Sequence, residues 1–160
     1  WKKPLYVATA EALDPEMVAR IRRHRAERAR CWRCAEEPLE IARLIEDGRS
    51  GADGMLVECV TLWLSNVLLK EGRGAVRRRS AVLLRALRRA RCDVILVANE
   101  VGMGLVPENK LGRIFRDLAG RLNQELAAVA DIVVLVVAGQ PLVIKGMDEY
   151  RVISANNCRR

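Results

Sequence analysis

The sequence predicts an α/β fold built around a mainly parallel sheet, and three observations carry that prediction. Short, almost wholly apolar runs at Leu5–Ala8, Met55–Val57, Val94–Ala98 and Ile132–Val137 have the length and composition of strands covered on both faces. Stretches with helical spacing separate them, so strands and helices alternate. Residues that are mostly polar or acidic collect just past the strands, where open parallel sheets keep their ligands: Thr9, Ala10 and Glu11 after the first run, Glu58 after the second, Asn99 and Glu100 after the third.

The first helix follows Leu5–Ala8 almost at once. Asp14 suits the N-cap, Pro15 suits the first helical position because its missing N–H has no partner there, and Glu16 complements the positive helix end. Met17, Ile21, His24 and Arg28 recur at steps of four, three and four. That spacing predicts that the only histidine of the chain faces the protein body or its edge and not open solvent. Arg20, Arg22, Arg23, Arg25 and Arg28 surround it, and such charge disfavours imidazolium while attracting polyanions. A neutral imidazole in that setting is a nucleophile suited to phosphorus, although helix position alone fits an ordinary surface or boundary histidine better.

Glu36-Glu37-Pro38 predicts the start of a second helix, running through Leu39, Ala42 and Ile45 to the loop Gly48–Gly54. Met55–Val57 ends in Glu58-Cys59 before a helix over Thr61–Leu69. An acid at that strand end occupies the place where Walker-B carboxylates hold Mg²⁺ or its water, so Glu58 is a candidate metal-site residue. In Arg73–Arg91, Val76, Leu83, Leu84 and Leu87 leave an apolar face opposite a row of arginines, the pattern of a solvated amphipathic helix. The loop Val101–Asn109 contains glycines but fits neither GxxxxGK[ST] nor GxGxxG. Leu111, Ile114, Phe115, Leu118, Leu122, Leu126 and Val129 give the next helix a 3.6-residue period. Residues 1–146 are expected to form one domain, with 147–160 as a tail that lacks periodicity.

No apolar run is long enough to span a bilayer, and five irregularly spaced cysteines give no disulfide framework, which suits a reducing cytoplasm. Cys31 and Cys34 form a single CxxC. With His24 they supply three ligand types, but no second pair completes a tetrahedral site. The formal charge of +8 admits nucleic acid or phosphorylated ligands as partners. Nucleic acid is the weaker reading, because no aromatic residue lies between Trp63 and Phe115 to stack on bases.

Several stretches together resemble one family. They are Tyr6-Val-Ala-Thr9, Arg20-Ile-x-x-His24-Arg25, Glu36-Glu37, Glu58-Cys59-x-Thr61-x-Trp63-Leu-Ser-Asn66, Asn99-Glu-Val-Gly-Met-Gly-Leu-Val-Pro-Glu-Asn109 and Phe115-Arg-Asp-x-Ala-Gly-Arg121-x-Asn-Gln124. The family is the bifunctional adenosylcobinamide kinase / adenosylcobinamide-phosphate guanylyltransferases of cobalamin biosynthesis. The resemblance implies a P-loop NTPase-like three-layer fold and two reactions. ATP or GTP phosphorylates adenosylcobinamide, and GTP then gives GMP to adenosylcobinamide phosphate through a guanylyl-histidine, with Mg²⁺ assisting. It places that histidine at His24 and nucleotide contacts at Thr9, Ala10, Glu11, Arg25, Ala26, Glu27, Arg28, Glu36 and Glu58. It also implies a homo-oligomer, a trimer with clefts between subunits. Family members carry a strand, a Gly-Gly-x-Arg-Ser-Gly-Lys-Ser loop and a helix upstream of the Tyr6 strand, so the N-terminus here is expected to be incomplete. Ala29 stands where proline is usual, and Cys34 where threonine is usual. Two other readings compete: a non-catalytic module that keeps the nucleotide fold, and an arginine-driven nucleic-acid binder.

Overall fold

The computed structural model describes residues 1–27, 31–47, 51–148 and 150–151. In chain order the elements are β1 (Pro4–Ala8), α1 (Pro15–Glu27), β2 (Arg33–Glu36), α2 (Ile41–Asp47), β3 (Gly54–Glu58), α3 (Val60–Glu71), α4 (Arg73–Arg88) and β4 (Asp93–Val97). A 3₁₀ turn (Val101–Met103), α5 (Lys110–Val129), β5 (Val133–Val137) and β6 (Gln140–Lys145) follow. The chain divides into two compact units, Trp1–Leu122 and Asn123–Arg160.

In the first unit β2-β1-β3-β4 form a four-stranded parallel sheet, so the predicted α/β class holds. Its core lies on the face that carries Leu5, Val7, Met55 and Val57, which are buried together with Ile41 and Ile45 of α2, Val60, Trp63, Leu64 and Val67 of α3, and Val76 and Leu83 of α4. Fully burying each aliphatic side chain of this kind contributes about 1.5–3 kcal/mol. The Trp63 indole N–H, which burial would otherwise leave unpaired, donates to the Leu39 carbonyl at 2.8 Å.

Helices α3 and α4 meet at Gly72, whose φ of 82° and ψ of 174° lie where residues with a Cβ are strained. Its N–H donates to the Leu68 carbonyl, closing α3, and its own carbonyl accepts from Ala75 N–H as α4 begins. Arg79 of α4 then reaches back to Glu71 at 2.7 Å and across to Glu40 at 2.7 Å. These carboxylates hold the guanidinium further into its charged range, and Arg79 in turn lowers the Glu71 pKa.

Three expectations are corrected. Residues 33–36 form a strand, and the second helix starts at Ile41 and not at Glu36. Backbone pairing with β1 takes 33–36, and the Glu37 carboxylate accepts from the N–H groups of Leu39 and Glu40 to shape the turn before the helix. Strand β4 is not covered on both faces: it alternates, with Ile95 50% and Val97 36% exposed. The run after Asp131 does not extend the parallel sheet but pairs antiparallel with β6, a strand that Pro141 obscures in the sequence.

In the second unit β5 and β6 are joined by Ala138 and Gly139, both at positive φ (50° and 75°), the geometry of a tight hairpin turn. Lys145 at the end of β6 donates through Nζ to the carbonyls of Ala127, Ala128 and Ala130 at 2.5–3.2 Å. Those carbonyls include the last ones of α5, which have no partner within the helix. Of the expected tail, Met147, Asp148, Tyr150 and Arg151 are described and are helical. No helix among the described residues is long and apolar enough to cross a membrane.

Candidate functional site

Parallel register decides which side chains share the carboxyl edge of the sheet. Ala8 stands beside Glu36 on one side and Glu58 on the other, and Glu58 stands beside Val97. All point to the same face, so two carboxylates flank a methyl group at the strand ends. This face is the more open one. Ala8, Leu56 and Glu58 are half-buried and Cys34 and Glu36 are exposed, whereas the opposite face is the core.

Just beyond the edge, Thr9 is fully buried and ties the strand ends together. Its hydroxyl donates to the Cys59 carbonyl at 2.8 Å and accepts from the Cys59 N–H at 2.8 Å, while its own N–H donates to the Glu58 carbonyl at 3.1 Å. Asn66 of α3, also buried, donates through Nδ2 to the Thr9 carbonyl at 2.8 Å and to the Pro38 carbonyl at 3.2 Å. Cys59 caps α3, its sulfur accepting from Leu62 N–H at 3.4 Å. The Thr61 hydroxyl accepts from Asn99 N–H at 2.8 Å, which fixes the turn after β4 to the start of α3. Residues 58–61 are therefore tied to Thr9 on one side and to the loop after β4 on the other.

The acids have different partners. Glu58 accepts a 2.5 Å hydrogen bond at Oε2 from the Tyr6 phenol. Glu11 pairs with Lys70 of α3 at 2.6 Å through Oε1, while its Oε2 is buried without a hydrogen-bond partner among the described residues. Ala10 between them is half-buried. Glu100, expected to add a second strand-end acid, lies three residues beyond the end of β4 and is exposed. No group of three His, Cys, Asp or Glu side chains among the described residues could hold a metal ion, which applies to His24, Cys31 and Cys34 as well.

The first helix begins as its caps predict. Pro15 is its first residue, and Asp14 Oδ1 accepts from Met17 N–H at 2.7 Å. Its orientation is a correction, because α1 buries no residue. Met17 and Ile21 are half-buried, and His24 is exposed and its imidazole hydrogen-bonds no described residue. The arginines on every side of His24 leave only the Met17–Ile21 end of the stripe to pack. Arg25, the next residue, makes an ion pair with Glu36 at the end of β2. Ala26 and Glu27 end the helix and are exposed, and Arg28 lies outside the described residues. The structure thus joins Thr9 to Glu58 and Arg25 to Glu36, and it puts no described contact between His24 and an acid.

Sequence reasoning missed Tyr6, Asn66, Thr61 and Lys70 as members of the site. A single amide inside the apolar run of α3 was a usable signal for Asn66, since buried amides need partners. Tyr6 had no such signal, because its partner is 52 residues away.

Comparison with known proteins covers the stretch of chain that carries this sheet edge. A family model described as "Cobinamide kinase / cobinamide phosphate guanyltransferase" matches residues 1–144. The chain is 43% identical over 154 residues to the bifunctional adenosylcobalamin biosynthesis protein CobU of Salmonella typhimurium, covering 88% of this chain and 85% of that protein. It is 42% identical to the protein of that name from Escherichia coli K12, with the same coverage. It is 41% identical to the bifunctional adenosylcobalamin biosynthesis protein CobP of Pseudomonas aeruginosa, with 88% and 82% covered. A sheet edge with acids on the two strands that flank β1, a model match across nearly the whole chain and relatives at this identity agree, and the chain belongs to the cobinamide kinase / cobinamide phosphate guanyltransferase family of enzymes.

Proposed function

We propose that the chain phosphorylates adenosylcobinamide with a nucleoside triphosphate and then transfers GMP from GTP to adenosylcobinamide phosphate, with His24 as the covalent carrier. The observation that carries the reading is the tie between α1 and the sheet edge. His24 sits in the last turn of α1, and the next residue, Arg25, is paired with Glu36, which stands one strand away from Ala8 and two from Glu58.

In the transfer, an imidazole nitrogen of His24 attacks the α-phosphorus of GTP, a P–N bond forms, and the P–O bond to pyrophosphate breaks. An oxygen of adenosylcobinamide phosphate then attacks the same phosphorus, the P–N bond breaks, and adenosylcobinamide-GDP leaves with His24 restored. Splitting one displacement into two is what a nucleophilic side chain contributes. The exposure of His24 suits this role, since the ring has to meet two substrates in turn. Arg20, Arg22, Arg23 and Arg25 on the same helix place positive charge near the phosphates. In the phosphorylation the corrinoid hydroxyl attacks the terminal phosphorus and a nucleoside diphosphate leaves.

Glu58 is the residue suited to Mg²⁺. It is half-buried at a strand end, with one oxygen held by Tyr6 and the other open to a cation or its water. Mg²⁺ is commonly held by one or two carboxylates together with substrate phosphates, so the lack of a protein-only cluster among the described residues fits that mode. Bound there, Mg²⁺ offsets the charge that develops on the departing phosphates. Ala10 and Glu11, just past the end of β1, and Glu27 and Arg28, at and following the end of α1 in the sequence, complete the proposed nucleotide surface, with Thr9 buried behind it as its support.

The test is covalent labelling. Full-length protein incubated with α-labelled GTP and Mg²⁺ is expected to acquire an acid-labile, base-stable adduct, and His24→Ala is expected to abolish it. Label retained in that variant would remove His24 from the role.

A further inference from the structure

We propose that Tyr6 is a positioning residue for Glu58, setting which carboxylate oxygen faces the nucleotide-bound cation. The inference rests on the reading of Glu58 given above and adds a residue to it.

The geometry points to orientation. Tyr6 and Glu58 lie on neighbouring parallel strands, two residues apart in register and on the same face, which lets a long aromatic side chain reach the acid diagonally. The phenol donates to Oε2 at 2.5 Å, the short distance of a hydrogen bond to an ionised oxygen. The ring itself is held in place. Tyr6 is only 8% exposed, and Trp32 packs edge-on against it with centroids 6.3 Å apart. Trp32 in turn meets Trp1 edge-on at 6.0 Å, and the Trp1 indole N–H donates to Asp93 at 2.9 Å on the far strand. A glutamate carboxylate on three rotatable bonds loses much of its freedom when one oxygen is anchored this way. The other oxygen then has a fixed direction before any cation arrives. Side chains that orient metal-binding groups typically alter affinity or activity by about 10–100-fold when removed.

Tyr6→Phe removes the hydroxyl and keeps the ring. The readout is Mn²⁺ binding to the GTP complex of the full-length protein, followed by electron paramagnetic resonance, with metal-free GTP binding measured in parallel. Tyr6→Phe is expected to weaken Mn²⁺ about tenfold or more while changing metal-free GTP binding less than about twofold. In a Glu58→Gln background the same substitution is expected to cause no further loss. Trp32→Phe disturbs the aromatic cluster but leaves the phenol, and it is expected to weaken Mn²⁺ much less. Unchanged Mn²⁺ affinity in Tyr6→Phe overturns the proposal. An equal loss from Trp32→Phe, or an undiminished Tyr6→Phe effect without the Glu58 carboxylate, also overturns it, because the effect is then one of packing. If Glu58→Gln itself leaves Mn²⁺ affinity intact, the reading of Glu58 fails and this proposal fails with it. If Glu58→Gln weakens binding and Tyr6→Phe does not, only Tyr6 loses its role.

Discussion

Asn66 concentrates the residue-scale physics. One side-chain amide satisfies two carbonyls, those of Thr9 and Pro38, on separate segments that both border the sheet edge. Asn66→Ala strands both acceptors in a buried setting, and each unsatisfied group costs about 1–3 kcal/mol. The expected outcome is a loss of about 1–3 kcal/mol or more, read as a lower urea midpoint at an unchanged slope. No measurable shift would mean that other donors reach the two carbonyls. Local chemistry at this scale was legible in the sequence. Asp14 and Pro15 announced the start of α1 because cap and first turn are neighbours along the chain. The Tyr6–Glu58 and Arg25–Glu36 pairs were not legible, since each depends on how strands and helix come together.

At the scale of elements, the turn between α3 and α4 makes the sharpest demand. Gly72 combines positive φ with an extended ψ, a region open essentially to glycine, and it closes one helix while opening the next. Gly72→Ala is expected to lose about 1–3 kcal/mol of stability, read from thermal or urea unfolding, although nothing lies within 4 Å of the added methyl. A neutral result would show that the junction relaxes. Helices α4 and α5 were visible in advance because apolar residues recur on one face over many turns. Strand β2 was not, because Arg33-Cys34-Ala35-Glu36 carries no apolar run and becomes a strand only through pairing with β1. The exposed side of His24 was misjudged for a related reason. Periodicity names a stripe, and the packing available decides how far along the stripe burial extends.

For the whole molecule, pH exposes two ties, one between distant parts of the chain and one between successive helices. Asp53 accepts from the N–H groups of Lys2 and Lys3 at 2.6 and 2.9 Å, and these bonds hold its pKa below the usual carboxylate range. Glu71 is lowered by Arg79. A carboxylate depressed in the folded state adds stability above its unfolded pKa and loses it as pH falls through the folded one. Unfolding midpoints are therefore expected to respond little to these two groups between neutrality and about pH 5 and to fall below that. Asp53→Asn and Glu71→Gln should each flatten the acid limb, and an unaltered limb in both variants would count against the two ties. The alternation of strands and helices made the parallel sheet legible from the order of apolar runs along the chain. The separate hairpin of the second unit was not, because β5 is as apolar as a central parallel strand and only its pairing partner distinguishes it.

The Thr9 hydroxyl, giving and taking one hydrogen bond with the same neighbouring residue, works as a lock between two strand ends. Sliding of one strand along its axis is passed directly to the other, so the acid at residue 58 keeps its depth relative to residue 8. A reaction cycle that admits two substrates in succession needs moving parts around a stationary reference point, and this pair of bonds supplies one.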